Sequence, residues 1–123
     1  MKTKILLVDD EKDIVDLIGE FLDSQGFDVE KACDGSEALS LIRGQPFDLI
    51  ITDLRMPVLS GLDLVQALRG WGNSTPIIWL SGGATEVDFS EGWYSGIYDL
   101  LEKPVSFEKL LQTIKTALAL GPE

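Results

Sequence analysis

The sequence predicts an α/β domain: a doubly wound five-stranded parallel sheet with helices on both faces. Three observations carry this. Short apolar runs recur five times, and a stretch of helical periodicity follows nearly every one. Ile5-Leu6-Leu7-Val8, Leu49-Ile50-Ile51-Thr52 and Ile77-Ile78-Trp79-Leu80 show no polar alternation, as strands buried on both faces require. Polar residues then gather at the ends of these runs, where open α/β sheets place their ligands.

In chain order, the first strand spans Lys4 to Val8 and stops abruptly at Asp9-Asp10-Glu11. Ile14, Leu17, Ile18, Phe21 and Leu22 then fall at helical spacing, and Gly26 suits the end of that helix. Phe27 to Ala32 alternates like an edge strand with one wet face, and Cys33 behind it reads as a small half-buried residue. Asp34-Gly35-Ser36-Glu37 has the form of a capping box opening a helix through Ile42, which Gly44 to Pro46 stops. The Leu49–Asp53 strand follows, then Pro57, then a helix over Gly61 to Leu68. Gly70 to Ser74 is loop chemistry, and the next buried strand ends at Ser81-Gly82-Gly83.

The segment from Ala84 to Ile97 is rich in poor helix formers, so its helix is expected to be short, late-starting or mobile. Phe89, Trp93 and Tyr94 are expected to supply its packing, with at least one of them in the core. Tyr98 to Glu102 is a fifth strand, again toward an edge. Ser106 caps a last helix carrying Phe107, Leu110, Leu111, Ile114 and Leu118 on one face, and Gly121-Pro122 ends it.

Composition narrows the function classes. The chain of 123 residues is read as one domain, 1–123, with enough length to bury a core. Its net charge of −11 opposes binding to nucleic acid or to anionic lipid. No apolar run approaches the roughly 20 residues that span a bilayer, so no membrane partner is expected. Four apolar residues before the first acids make a poor secretory signal, and one cysteine permits no internal disulfide. Both agree with a cytoplasmic location. The chain has no histidine, which removes Ser-His-Asp catalysis and His-ligated zinc.

The strand ends bring Asp9 and Asp10, then Asp53, then Ser81, then Lys103 to one edge of the sheet. Crowded carboxylates cannot all stay ionised without a cation. Oxygen-only ligands of this kind suit Mg²⁺, which binds through one or two carboxylates and keeps several waters. Beside such a metal an aspartate can act as nucleophile toward phosphorus and form an acyl phosphate. The transferring group spreads its charge over three oxygens, which an ammonium and a hydroxyl can meet.

Val8-Asp9-Asp10, Thr52-Asp53-Leu54-Arg55-Met56-Pro57, Ser81 behind a buried strand, and Lys103-Pro104 resemble the receiver domain of two-component response regulators, the CheY-like family. The resemblance covers essentially the whole chain. It implies a flavodoxin-like (βα)5 fold with strand order 2-1-3-4-5. It also implies that Asp53 is the phosphoacceptor, that Asp10 binds Mg²⁺ directly, and that Asp9 binds it mainly through water. The backbone carbonyl of Arg55 would be a further ligand, Ser81 the switch hydroxyl, and Lys103 the partner of the phosphoryl group. A histidine kinase or histidine phosphotransfer protein would be the donor in a phosphorelay. The output would pass to an effector domain or partner protein, and a phosphorylation-dependent dimer is among the assemblies implied. Such a domain is a signalling phosphoprotein rather than an enzyme, catalysing only its own phosphorylation and dephosphorylation. The amino terminus at Met1 reads as native, and the Gly121-Pro122-Glu123 end fits a stand-alone regulator or one cut before an effector.

Three departures from the family stand out. Leu100 holds the place, three residues before the lysine, where receivers often carry Tyr or Phe. Gly82-Gly83 follows Ser81, and Arg55 is a long cation beside the reactive centre. A ring flip coupled to Ser81 is thereby excluded, and ordering of residues 82–97 is the switch expected in its place. A cis Lys103-Pro104 bond is expected where the chain turns to point the lysine at the acids. Two other classes stay open: an aspartate-nucleophile hydrolase of the haloacid dehalogenase type, and a receiver-like module that is not phosphorylated.

Overall fold

The computed structural model describes residues 2–120, and the Gly121-Pro122 stop lies outside them. Strand and helix alternate throughout: β1 (Lys4–Val8), α1 (Lys12–Ser24), β2 (Asp28–Ala32), α2 (Gly35–Gly44), β3 (Leu49–Asp53), α3 (Gly61–Gly70), β4 (Ile77–Ser81), α4 (Glu86–Ser95), β5 (Asp99–Glu102) and α5 (Phe107–Leu120). The five strands form one parallel sheet in the order β2-β1-β3-β4-β5. The strands without polar alternation, β1, β3 and β4, are the central three, and mixed β2 and β5 are the edges, as expected.

Alternate side chains of each strand feed two separate cores, one per face. Leu6, Val8, Ile50, Ile77, Trp79 and Leu100 pack with Ala38, Ile42, Leu64, Val65 and Leu68 under α2 and α3. Ile5, Leu7, Leu49, Ile51, Ile78 and Leu80 pack with Val15, Ile18, Leu22, Leu110 and Ile114 under α1 and α5. Each such side chain, fully buried, contributes about 1.5–3 kcal/mol from its transfer out of water. The register pairs Val8 with Thr52, Asp53 with Leu80 and Ser81 with Glu102, so the polar ends of the strands are level.

The helix starts are more elaborate than expected. Asp34 accepts the Glu37 N–H, but Glu37 returns its bond to the Cys33 N–H rather than to Asp34, so the predicted box is offset by one residue. Reciprocal boxes form instead at Ser60/Asp63 and Thr85/Asp88. Cys33 is exposed, contrary to expectation, because the chain has already left edge strand β2 at Ala32. The Lys103-Pro104 peptide is cis, as expected.

α4 departs most from its expected packing. It starts late, five residues after Ser81, but it runs ten residues with a cap at each end. Phe89, Trp93 and Tyr94 are all exposed, and the residues it buries are Asp88 and Gly92. Trp79 of β4 already fills the space beneath. A Cβ at position 92 would come 2.5 Å from Ile97 Cδ1 and 3.1 Å from the Trp79 ring. Only glycine lets the helix lie this close, and the aromatic rings are left outside.

Candidate functional site

β3 delivers Asp53 to the carboxyl edge of the sheet, and the chain then turns back on itself. Leu54 N–H donates to Leu80 O, and Gly61 N–H returns to Leu54 O at 2.8 Å. A Cβ at Gly61 would lie 2.8 Å from Asp53 O and 2.9 Å from Leu54 Cα, so the tight return excludes any side chain there. Within this loop Val58 has φ +69° and is fully exposed, while Leu59 N–H donates to Pro57 O. A β-branched residue in the left-handed region is strained, and that strain sits in the loop that follows Asp53.

The five predicted residues converge. Single carboxylate oxygens of Asp9, Asp10 and Asp53 all lie within 4.8 Å of one another, with Asp9 and Asp53 buried and Asp10 exposed. Lys103 is brought alongside by its backbone N–H, which donates to Ser81 O at 2.7 Å. Its Nζ lies 3.0 Å from Asp9 Oδ2 and 3.4 Å from Asp53 Oδ2. Ser81 closes β4 with its hydroxyl buried and without a hydrogen-bond partner among the described residues. Arg55 N–H approaches Asp53 Oδ1 at 3.4 Å. Leu100 does not reach the crevice. It packs in the core across from Trp79, its register partner, so the aromatic bulk often found on β5 stands here on β4.

The electrostatics fit a cation site. Burial raises the Asp53 pKa above its ordinary 3.8; the Lys103 charge opposes this and the Asp9 charge reinforces it. Lys103 is pulled down by burial, but its bond to Asp9 and the charges of Asp9 and Asp53 prevail and hold it above 10.5. One ammonium therefore leaves the acids under-neutralised. Three carboxylates with oxygen donors only can hold a hard divalent ion, and the partnerless Ser81 hydroxyl can meet an anionic oxygen beside it.

Sequence reasoning missed three neighbours. Glu11 places a carboxylate oxygen 3.9 Å from Lys103 Nζ, and its N–H donates to Asp9 Oδ1. Trp79 donates its indole N–H to Gly61 O at 3.2 Å, tying β4 to the start of α3. Asp88 of α4 binds Arg55, with Nη2 to Oδ2 at 2.5 Å. The spacing Thr85-x-x-Asp88 was the available signal for the last of these, since it marks a helix start.

A doubly wound sheet with an acidic crevice, a lysine and a buried hydroxyl at its carboxyl edge is the arrangement of a phosphoryl-accepting signalling domain. The sequence profile of the response regulator receiver domain matches residues 5–115, and the chain belongs to that family, whose general function is phosphorylation-based two-component signalling. The transcriptional regulatory protein CpxR of Escherichia coli K12 is 38% identical over 115 residues, which cover 94% of this chain and 49% of that protein. The response regulator protein PilR of Pseudomonas aeruginosa is 37% identical over 123 residues, 99% of this chain and 28% of that one. The chain thus spans about half, or less, of these curated relatives. Among solved structures, the chemotaxis protein CheY4 of Vibrio cholerae superimposes with a TM-score of 0.90 at 36% identity, covering 94% of this chain and 98% of that one. The CheY-like receiver domain protein of Methanospirillum hungatei JF-1 gives 0.93 at 28% identity, covering 98% and 96%. No helix among the described residues is long and apolar enough to cross a membrane.

Proposed function

We propose that residues 1–123 form a single receiver domain in which Asp53 accepts a phosphoryl group from a phosphohistidine of another protein. The observation that carries this is the placement of the buried Asp53 carboxylate beside Lys103 and the Asp9 and Asp10 oxygens, with the buried, partnerless Ser81 hydroxyl at the end of the neighbouring strand. A carboxylate oxygen of Asp53 forms the new P–O bond as the P–N bond to the donor imidazole breaks, leaving an aspartyl phosphate. Asp9, Asp10, Asp53 and the Arg55 carbonyl would hold Mg²⁺. When bound, that ion neutralises the crowded acids and polarises the phosphoryl oxygens. Lys103 pairs with one phosphoryl oxygen, and Ser81 Oγ–H donates to another. The work is one phosphorylation per chain rather than turnover of a substrate, which sets it apart from an enzyme.

The donor is a histidine kinase or phosphotransfer protein, since the chain has no histidine. An apolar groove of about 300 Å³, lined by Ile14, Leu17, Ile18, Pro104, Val105 and Phe107, runs beside Lys103 and offers that donor a surface. An effector domain or partner protein takes the output, and the cytoplasm is the expected setting. Incubation with Mg²⁺ and acetyl phosphate tests the assignment. One stable label per chain, lost in Asp53→Asn, is expected. Undiminished labelling of the variant refutes the role of Asp53. Steady phosphate release points to a hydrolase, and no label at all to a module that is not phosphorylated.

A further inference from the structure

α4 is fastened at both ends by arginines, Arg69 in the last turn of α3 and Arg55 in the loop between β3 and α3. At its carboxyl end Arg69 Nη2 donates to Gly96 O at 2.8 Å, while Nη1 serves Asn73 O and Thr75 O. At its amino end Arg55 binds Asp88. The two attachments differ in kind. Arg69 is half-buried and its acceptors are neutral carbonyls, so a change of charge nearby has little hold on it. The Arg55 side chain is 61% exposed and its acceptor is a carboxylate, so a competing anion can draw it away.

Asp88 does not need Arg55 to stay in place. The same Oδ2 accepts the Thr85 N–H at 2.8 Å, and Thr85 Oγ1 accepts the Asp88 N–H at 3.2 Å. The first turn of α4 is capped with or without the guanidinium. What the guanidinium supplies is a link from that turn to the loop carrying Asp53. Arg55 therefore touches Asp53 through its backbone and α4 through its side chain.

Phosphorylation of Asp53 replaces a carboxylate with a group of roughly one further negative charge and three strong acceptor oxygens. Arginine binds such a group in a fork of two hydrogen bonds, whereas Asp88 shares its bonded oxygen with Thr85. Lys103 meets only one of these oxygens and keeps its bond to Asp9, so it does not take up the added charge by itself. Arg55 and Asp88 line an open groove of about 460 Å³ with Leu54, Met56, Ser60 and Glu91, so the side chain has room to turn.

We propose that the Arg55–Asp88 pair is a phosphorylation-sensitive latch: the phosphoryl group on Asp53 draws Arg55 from Asp88 and frees the amino end of α4, while Arg69 keeps the carboxyl end in place. This rests on Asp53 being the phosphoacceptor. It replaces the expected ordering of residues 82–97 with release of a helix that is already formed and capped.

Side-chain NMR of the full chain tests it, because the three arginines, Arg43, Arg55 and Arg69, give three resolvable Nε–H signals. With Mg²⁺ and beryllofluoride, the Arg55 signal should move and the other two stay. Amide exchange at Asp88 and Phe89, whose N–H groups are bonded to Thr85 in the free protein, should accelerate about tenfold or more, with the last turn unchanged. Arg55→Met, which leaves the cap intact, should show the fast exchange before beryllofluoride is added and no further gain after it. Asp88→Asn should displace the Arg55 signal in the free protein. An unmoved Arg55 signal and unchanged exchange, in a sample whose ¹⁹F spectrum shows the bound complex, overturn the latch alone. Absence of the bound complex overturns the phosphoacceptor reading and the latch with it.

Discussion

The surroundings of Asp53 in the folded protein disfavour its charged form. Burial lifts its pKa above the ordinary 3.8. Between that ordinary value and the folded one, the folded state holds more protons than the unfolded state, so stability falls as pH rises through the window. At neutral pH the charge on Asp53 therefore weighs against the fold. Asp53→Asn should raise the melting temperature at pH 7, by about a few degrees for a domain of this size. The difference should shrink as pH falls through the raised pKa of Asp53, where the native carboxyl takes up its proton. Equal melting temperatures at pH 7 would show that Lys103 fully offsets the burial. Val58 carries a second strain at the same loop. Its side chain is fully exposed, so Val58→Gly removes no packing and relieves the left-handed backbone. Stabilisation by about 1 kcal/mol in urea unfolding is expected. Nothing in the sequence marks this residue, because a β-branched side chain is the last type one assigns to a positive φ.

At the scale of elements, legibility follows how closely each segment obeys its own pattern. β1, β3, β4 and α5 are apolar where the core needs them to be, and their positions follow from spacing alone. α4 inverts the pattern: it buries an acid and a glycine and turns its aromatic residues outward. No amphipathic reading can place such a helix, because its inner face is shaped by Trp79 on another strand and by Arg55 on a loop. The close approach at Gly92 has a measurable cost when it is blocked. Gly92→Ala should destabilise the protein by about 1–3 kcal/mol through overpacking against Ile97 and Trp79. Gly44→Ala is the control, since a Cβ there meets nothing, and it should be neutral or stabilising by up to about 1 kcal/mol. Equal effects at both positions would mean that α4 moves outward freely and that its seat on Trp79 is loose.

Across the whole molecule, the five site residues were legible because a parallel sheet sends every strand end to one edge, and each of them follows a strand. Asp9, Asp10, Asp53, Ser81 and Lys103 needed no contact information beyond that. The strand order came from the family resemblance, as did the separate roles proposed for the acids, since spacing alone cannot say which strands are neighbours. Contacts between elements stayed hidden: Glu11 beside Lys103, the indole of Trp79 on Gly61, and Asp88 on Arg55. The three tryptophans sit at very different depths. Trp79 is fully buried against Gly61 and α4, Trp71 is partly exposed beneath Arg43, and Trp93 stands largely in solvent. With Trp71 and Trp93 replaced by Phe, Trp79 would be the single remaining tryptophan and, excited at wavelengths the two tyrosines do not absorb, would emit from a dry interior. Its colour and brightness would then depend on the seam between α4 and the loop carrying Asp53, so the domain contains an optical gauge of its own state that needs no added dye.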